Sequence, residues 1–295
     1  MGGITAALVT CPLEVIKTRL QAGQVRIAST TTFGTRLTSI FLDIWRGEGI
    51  RGLWRGLGPN LVGVAPSRAI HFSTYSGIKS FLRSQGMEES SSMHLLSAIG
   101  AGMTVHTLTS PLWLIKTRLQ LQGRSSGSPY YNNSFDCIRK VWREEGVRGF
   151  YRGLVASYVG ITESAMQFVL YEKFKHLMQV QKYKAIHGIT EEKITKEQAN
   201  TITLGTTEYL TVASLSKLIA AAATYPHEVV RTRMRDRRDA VKPKYHGFLQ
   251  SLRLIAKEEG LAGLYGGMGV HLLRVVPNAA IMFLTYETIL RVLTK

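Results

Sequence analysis

A ten-residue sequence motif that begins with proline, called the proline phrase below, occurs three times in this chain of 295 residues. It constrains the fold more than any other feature. The copies begin at Pro12, Pro111 and Pro226, and each carries basic residues five and seven positions after its proline. Their spacings of 99 and 115 residues are much longer than a solenoid repeat. Each copy follows an apolar stretch, so the proline lies within a predicted helix and kinks it. Three such phrases in near register indicate a tandem triplicated architecture.

Each repeat contains the same elements in the same order. An apolar helix with the proline phrase is followed by a polar connection, a short amphipathic helix, and a Glu-Gly motif with an aromatic residue and a further glycine. A second long helix closes each repeat, predicted over residues 57–83, 154–180 and 268–293. Helices of about 20 residues or more can cross a bilayer. We therefore predict repeats at residues 1–84, 92–180 and 206–295, with a polar loop at 181–205.

Charged residues lie near the middle of the long helices, at Arg68, Glu163 and Arg274. In a membrane such residues are tolerated where they face a water-filled interior, and there they indicate a functional site. A soluble helical-repeat protein would not explain the kink prolines, the small-residue faces or the paired long helices. The predicted fold is an all-α membrane protein, in which six transmembrane helices form a barrel with threefold pseudosymmetry and short helices lie on one side.

The charge of the chain indicates an anionic partner. It carries 37 Lys and Arg against 20 Asp and Glu, a formal net charge of +17, which suits nucleic acid, anionic lipid or a phosphorylated small molecule. Loops within the repeats contain 17 of these bases and loops between repeats contain 4, so the positive-inside rule places the termini on the opposite side from the intra-repeat loops. Two cysteines are too few for a disulfide framework, and no enzyme, metal or cofactor motif is present.

The first apolar helix is expected to be truncated. Only eleven residues precede Pro12, whereas the second apolar helix begins at Met93, eighteen residues before Pro111. The difference is about two turns at 3.6 residues per turn. We expect a chain that starts in this way to insert or gate less well than one with an extended first helix.

The proline phrase, the Glu-Gly motif and their threefold recurrence resemble the mitochondrial carrier family over essentially the whole chain. Within that family, the stretch Gly58–Ile70, Trp113 and the stretch Tyr225–Arg233 are most similar to the pyrimidine nucleotide carriers. The resemblance implies a multi-pass protein of the mitochondrial inner membrane that exchanges UTP- and CTP-type di- and triphosphates by alternating access. It also implies a monomer without a cofactor that binds an anionic lipid such as cardiolipin and no nucleic acid.

Two alternatives stay open. Folate, flavin and NAD carriers share the tryptophan variant of the second repeat, so Trp113 alone does not separate them from nucleotide carriers. A soluble, basic helical-repeat protein that binds nucleic acid would also account for the charge, and it would leave membranes in high salt.

The resemblance further implies an ion-pair gate on the matrix side, beside the short helices. It is expected to use the residues Glu14, Lys17, Lys116, Glu228 and Arg231, with bracing glutamines at Gln21 and Gln120. When the six predicted membrane helices are counted in chain order, the odd-numbered ones carry the proline phrases. The acid of one such helix pairs with the base of another, which joins Glu14 to Lys116 and Glu228 to Lys17. Trp113 replaces the third acid and leaves Arg231 without its partner, while the third repeat carries Arg235 in place of a glutamine.

A second gate on the cytoplasmic side is expected on the even-numbered membrane helices, which are the second long helices of the three repeats. Its retained pairs are Lys79 with Glu172 and Lys175 with Glu287. The third pair lacks both of its charges, and losing both is less costly than leaving one buried charge unpaired.

The pattern of this second gate includes a tyrosine in each repeat, at Tyr75, Tyr171 and Tyr286. Counting back from these tyrosines locates the midplane zone in which the family binds its substrates. The residues expected there are Gly63, Ser67, Arg68, Gly160, Glu163, Arg274 and Asn278. The two arginines offer guanidinium groups suited to bidentate phosphate binding. The glycines leave room for a planar base or sugar, and the remaining three could hydrogen-bond a base edge or a ribose. The alternative for the charged members is an internal ion pair, such as Glu163 with Arg68.

Overall fold

The computed structural model describes residues 2–24, 33–122, 130–187, 201, 203–236 and 244–274. Within these residues the chain forms helices and no strand. The helices are α1 (Gly2–Gln21), α2 (Phe33–Glu48), a 3₁₀ turn (Ile50–Trp54), α3 (Leu57–Ser84), α4 (Ser91–Leu121), α5 (Ser134–Phe150), α6 (Leu154–Val159), α7 (Ile161–His187), α8 (Thr206–Thr224), α9 (Pro226–Arg235) and α10 (Phe248–Leu264). A further helical stretch covers residues 268–274.

Two of the three kink prolines lie inside helices as predicted, and the third does not. Pro12 and Pro111 lie within α1 and α4, whereas the helix of the third repeat ends at Thr224 and a new helix begins at Pro226. Proline suits this first position because the N–H it lacks has no partner within the first helical turn. The third proline therefore starts a helix instead of kinking a continuous one.

The second long helices begin where the sequence predicts, at Leu57 and Leu154. That of the second repeat is interrupted at Gly160 and then continues to His187, so the predicted loop 181–205 begins too early. Residues 188–200 and 202 of that loop, and residues 275–293 of the last predicted helix, lie outside the described residues. Among the described helices none is by itself both long and apolar enough for a membrane span, although α5 together with α6 and α7 passes that test as a bent segment.

The chain divides into two compact units, residues 1–158 with 225–295, and residues 159–224. In the second unit, α7 and α8 pack against each other. Two ion pairs join these helices, Lys182 to Glu208 at 2.8 Å and Lys217 to Glu163 at 2.6 Å.

The first unit contains three equivalent hydrophobic cores, one for each repeat. Each core takes the two residues three and four positions after the proline: Val15 and Ile16, Leu114 and Ile115, Val229 and Val230. The amphipathic helix of the same repeat packs against them through Ile40 and Ile44, Cys137 and Val141, or Ile255. A spacing of four places such residues on one face of a helix. The repeat seen in the sequence is thus reproduced in the packing, which fixes the end of each proline-phrase helix.

Candidate functional site

The first unit contains a cavity of about 490 Å³. Its walls come from α1, α3, α4, α6, α9 and the stretch 268–274. The charged residues that line it are Glu14, Lys17, Arg68, Lys116, Arg231, Arg235 and Arg274. Because basic groups far outnumber the acid, the cavity favours an anionic ligand.

The pair of Lys17 and Glu228, predicted for the matrix gate, is present. Lys17 Nζ lies 2.5 Å from Glu228 Oε2, and both side chains are largely buried. Gln21 braces the pair, because its Nε2 donates to Glu228 Oε2 at 3.1 Å and to the Tyr225 hydroxyl at 3.0 Å. The Lys17 ammonium also donates to His271 Nδ1 at 2.8 Å. Three separate helical segments therefore hold this ion pair.

The second predicted pair joins Lys116 to Glu14, with 2.5 Å between Nζ and Oε1. Arg274 Nη1 approaches the same carboxylate oxygen at 3.1 Å. Asn60 Oδ1 accepts a hydrogen bond from Lys116 Nζ at 2.9 Å. Gln120 was predicted to brace this pair, but its Oε1 accepts from a threonine of α1 instead. The bracing contact comes from Asn60 because the amide of Asn60 lies on α3 directly beside the lysine.

The third position of this gate differs from the prediction. Arg231 was expected to lack a partner, but its Nη2 lies 3.6 Å from Glu228 Oε1, so it shares the acid that binds Lys17. Trp113, which replaces the third acid, lies with its ring 5.0 Å from Lys116 Nζ, within the range of a cation–π interaction. The tryptophan therefore supports the neighbouring pair and supplies no charge to Arg231.

Three arginines tie the ends of the proline-phrase helices together, and we call them the three-arginine ring. Each donates through Nε to a backbone carbonyl of another such helix: Arg19 to Gln120 (3.1 Å), Arg118 to Arg235 (3.2 Å) and Arg233 to Gln21 (2.9 Å). Their terminal nitrogens bind the acid of the Glu-Gly motif in the same repeat: Glu48, Glu145 and Glu259. Paired N–H···O bonds of this kind fix geometry as well as charge.

The third acid of the ring is held less tightly than the other two. The first two acids gain a second arginine, Arg55 at 2.7 Å and Arg152 at 3.4 Å. Gly266 stands at the equivalent position of the third repeat, and the side chain of Glu259 is 40% exposed, compared with 4% and 12% for its counterparts. A Cβ at Gly266 would lie 3.1 Å from the Leu20 carbonyl oxygen, so close packing accounts for the glycine.

A glycine of each repeat packs against the carbonyl oxygen of a gate base from another repeat. A Cβ would lie 2.9 Å from the Lys116 oxygen at Gly56, 3.2 Å from the Arg231 oxygen at Gly153, and 3.0 Å from the Lys17 oxygen at Gly267. All three glycines have positive φ angles, of 81°, 75° and 80°. Glycine alone adopts this conformation readily and permits such an approach. These contacts fix the start of each second long helix beside a gate base.

The predicted substrate residues of the first unit divide into two groups. Arg68, Ser67 and Arg274 line the cavity. Gly63 does not, because it is buried against α4, where a Cβ would lie 3.7 Å from the Trp113 ring. The Trp113 ring therefore lies beside Gly63, and a role of this glycine in making room for a base stays a prediction.

Four further predicted residues lie on or beside α7, in the second unit. Gly160 separates α6 from α7, and Glu172 and Lys175 lie within α7. Glu163 Oε1 accepts a hydrogen bond from Lys217 Nζ of α8 at 2.6 Å. Lys217 was not identified from the sequence, and it neutralises the acid that was assigned to substrate.

The cytoplasmic gate is only partly described. Asn278, of the substrate set, and Glu287 lie outside the described residues. Lys79 Nζ lies 2.5 Å from Glu89 Oε1, and its predicted pair with Glu172 stays a prediction. The hydrogen bond from Lys79 lowers the pKa of the Glu89 carboxyl. Glu89 follows Lys79 by ten residues, in the short loop between α3 and α4.

The sequence analysis missed three residues that complete the site. Asn60 and His271 contact the gate lysines, and His106 lines the cavity. Asn60 carries a usable signal, because it follows the glycine of the aromatic-Arg-Gly motif by one helical turn. His271 carries the same signal, since it follows Gly267 by four residues, whereas His106 belongs to no recurring pattern and only the folded structure brings it to the site.

Comparison with known proteins finds similar sequences along the whole chain. The sequence model of a family described as "Mitochondrial carrier protein" matches residues 1–86, 88–182 and 203–295. The mouse protein "Solute carrier family 25 member 36" is 43% identical over 305 residues, covering 99% of this chain and 94% of the relative. The yeast Saccharomyces cerevisiae protein "Mitochondrial pyrimidine nucleotide transporter RIM2" is 40% identical over 322 residues, covering 100% and 84%. Human "Solute carrier family 25 member 33" is 40% identical over 313 residues, covering 99% and 92%.

Proposed function

The chain belongs to the mitochondrial carrier family, and from this premise we propose that it transports pyrimidine nucleotides across the mitochondrial inner membrane. The observation that carries the proposal is the 40% identity, sustained along the whole chain, with a yeast relative named as a mitochondrial pyrimidine nucleotide transporter. We further propose that it carries UTP- and CTP-type di- and triphosphates by exchange and catalyses no covalent reaction. A monomeric state and binding of an anionic lipid such as cardiolipin stay predictions.

The cavity supports this assignment by its size and charge. Its volume of about 490 Å³ falls in the range of pockets that hold small ligands, roughly 300–1,000 Å³. Arg68 and Arg274 line it and can each offer a guanidinium fork to a phosphate. We propose that these two arginines, with Ser67, hold the nucleotide during transport.

The contacts of Arg274 suggest how binding would be coupled to gate opening. Arg274 Nη1 lies 3.1 Å from Glu14 Oε1, the oxygen that also binds Lys116. A substrate phosphate would compete with Glu14 for Arg274 and rearrange the charges around the Glu14–Lys116 pair. We propose that this competition loosens the matrix gate only when substrate is bound, which is the requirement for alternating access.

Uptake of labelled UTP into liposomes that contain the purified protein tests the proposal. The liposomes are preloaded with unlabelled UTP, CTP, ADP, NAD or folate. We expect internal UTP and CTP to drive uptake, and Arg274→Ala to abolish it. Arg253→Ala on α10 removes an exposed arginine and serves as the matched control. Uptake driven only by NAD or folate would replace the substrate class and leave the family assignment standing.

The nucleic-acid-binding alternative receives no support from the family match. Membrane extraction tests it directly, because an electrostatically bound nucleic-acid protein is released by high salt. We expect this chain to need detergent for its release.

A further inference from the structure

One end of the cavity is marked by three equivalent side chains, each nine residues after the proline of its repeat: Gln21, Gln120 and Arg235. All three line the cavity and are more than nine-tenths buried. The third repeat therefore places a cation where the other two have a neutral amide. In the second repeat, Trp113 replaces an acid in the same cavity wall. Each change makes this end of the cavity more positive by one charge.

The hydrogen bonds of this set show that Arg235 does not simply substitute for glutamine. The two glutamines accept hydrogen bonds between helices, from Thr232 Oγ1 to Gln21 Oε1 (2.8 Å) and from Thr18 Oγ1 to Gln120 Oε1 (3.0 Å). Thr18 and Thr117 both contact the carbonyl four residues before them, at 2.8 and 2.7 Å, but Arg235 has no acceptor atom, so among the described residues Thr117 lacks the second contact that Thr18 makes with Gln120. For packing alone, a glutamine at position 235 would make one more link between helices.

Two buried donors at this end have no hydrogen-bond partner. Arg235 is 6% exposed, and its Nη2 donates to Ser157 Oγ at 3.2 Å, but its Nε is unpartnered. Gln120 Nε2 is also buried and unpartnered. Among the described residues no carboxylate lies within ion-pair distance of Arg235, and the neighbouring Arg231 reaches its acid only at 3.6 Å. A buried guanidinium without a counter-charge is strongly unfavourable unless an anion binds there.

We propose that Arg235 and Gln120, together with Arg231, form a phosphate subsite that receives the terminal phosphates of the transported nucleotide. The inference deepens the proposed function and rests on it. Phosphate oxygens would accept from the two unpartnered donors and balance the two guanidinium groups, which suit bidentate phosphate binding. The subsite would favour nucleoside di- and triphosphates over monophosphates, because only the longer phosphate chains offer a terminal group in addition to the first phosphate.

The test is Arg235→Gln, which restores the residue found in the other two repeats. We expect the apparent affinity for UTP in proteoliposomes to fall about 10- to 100-fold, as for loss of a charge-assisted hydrogen bond, with UMP changed less than about 3-fold. The apparent affinity for inorganic tripolyphosphate, read from thermal stabilisation of the detergent-purified protein, should fall by the same factor as the affinity for UTP. Arg139→Gln on α5 removes an exposed arginine and should change none of these values.

Arg235→Lys keeps the experiment decisive if the glutamine variant does not fold. Lysine retains the charge but loses the guanidinium fork, so affinity for UTP should still fall relative to UMP. An unchanged ratio of UTP to UMP affinity in the folded variant would overturn the subsite.

The outcomes separate the subsite from the proposed function. Equal losses for UTP and UMP, or no tripolyphosphate stabilisation of the unsubstituted protein, would overturn the subsite while nucleotide transport stands. Tripolyphosphate stabilisation that depends on Arg235, without UTP transport, would support the subsite and reject the transport proposal. If Arg235→Gln lost only the stabilisation that cardiolipin gives, with the ratio of UTP to UMP affinity unchanged, Arg235 would be assigned to a lipid headgroup and the proposal overturned.

Discussion

Replacing Glu228 by glutamine removes the charge opposite Lys17 and keeps the shape of the side chain. The lysine and the acid are 9% and 14% exposed, with 2.5 Å between Nζ and Oε2. Removing one partner of a buried ion pair costs about 3–5 kcal/mol, because the other charge is left uncompensated. His271 Nδ1 still accepts one hydrogen bond from the ammonium at 2.8 Å, but Arg231 loses the same acid, so we expect a loss within that range and no smaller.

The matched control is Glu258→Gln. Glu258 pairs with Lys244, but the two side chains are 41% and 47% exposed. Pairs at such exposure contribute about 0–1 kcal/mol. The same chemical change should therefore have a small effect at position 258 and a large effect at position 228.

The two cysteines provide the assay. Cys11 and Cys137 are both buried, so a thiol-reactive dye reports the unfolding of detergent-solubilised protein. At about 2 °C per kcal/mol for a chain of this size, Glu228→Gln should lower the thermal midpoint by about 6 °C or more, and Glu258→Gln by no more than about 2 °C.

A double variant, Lys17→Gln with Glu228→Gln, completes the argument. It removes both charges, so it should be more stable than Glu228→Gln alone, since no unpaired lysine stays buried. A double variant that is less stable than the single one would refute the reasoning, because the lysine would then contribute stability without its acid. Equal midpoints for Glu228→Gln and Glu258→Gln would refute it as well.

Three further predictions use the same preparation. Gly49→Ala and Gly56→Ala both place alanine at positive φ, which costs about 1–2 kcal/mol of stability. Only at Gly56 would the Cβ also meet a neighbouring helix, at 2.9 Å, which adds about 1–3 kcal/mol, so equal thermal midpoints of the two variants would contradict this. Burial raises the pKa of the Cys137 thiol to about 12, so maleimide at pH 8 should label Cys137 only after denaturation, as read by mass spectrometry. The hydrogen bond from Arg233 lowers the pKa of Glu259, so the contribution of Glu259 to stability should be fully present above about pH 4.3, its pKa in the unfolded chain. That contribution should decline as the pH falls through the lowered pKa of the folded state. Glu259→Gln should therefore flatten the acid side of the curve of thermal midpoint against pH, and an unchanged curve would argue against this role of Glu259.

The parts of the fold and site that recur in the sequence could be predicted from it. Lys17 and Lys116 follow their prolines at the same distance, and both bind the expected acids. The core residues recur in the same way, three and four positions after each proline. Recurrence is informative here because three equivalent helices meet three equivalent neighbours, so one packing rule applies three times and one pairing rule applies twice.

The parts that escaped prediction depend on contacts that no shared residue type marks. His271 and Asn60 stand at the same position of their repeats and contact Lys17 and Lys116, but one is an imidazole and the other an amide, so residue type does not reveal the shared role. Gly63 was assigned to the cavity by counting residues along α3, and counting cannot show that the Trp113 ring lies beside it. Lys79 binds Glu89 of the adjoining loop, a contact that the repeated pattern does not mark. Such choices are decided by local distance and packing.

The three-arginine ring has a mechanical consequence for the order of opening. Three ends joined pairwise by three links stay connected after any one link is cut, because the other two still reach every end. The protein can therefore part on one side without releasing a helix, and the two intact joints serve as hinges. Gate ion pairs reinforce two of the three joints, since Lys17–Glu228 joins α1 to α9 and Lys116–Glu14 joins α4 to α1, whereas the described residues place no such pair beside the Arg118 link of α4 to α9. We expect separation to begin between α4 and α9, so that a nearly threefold assembly opens asymmetrically.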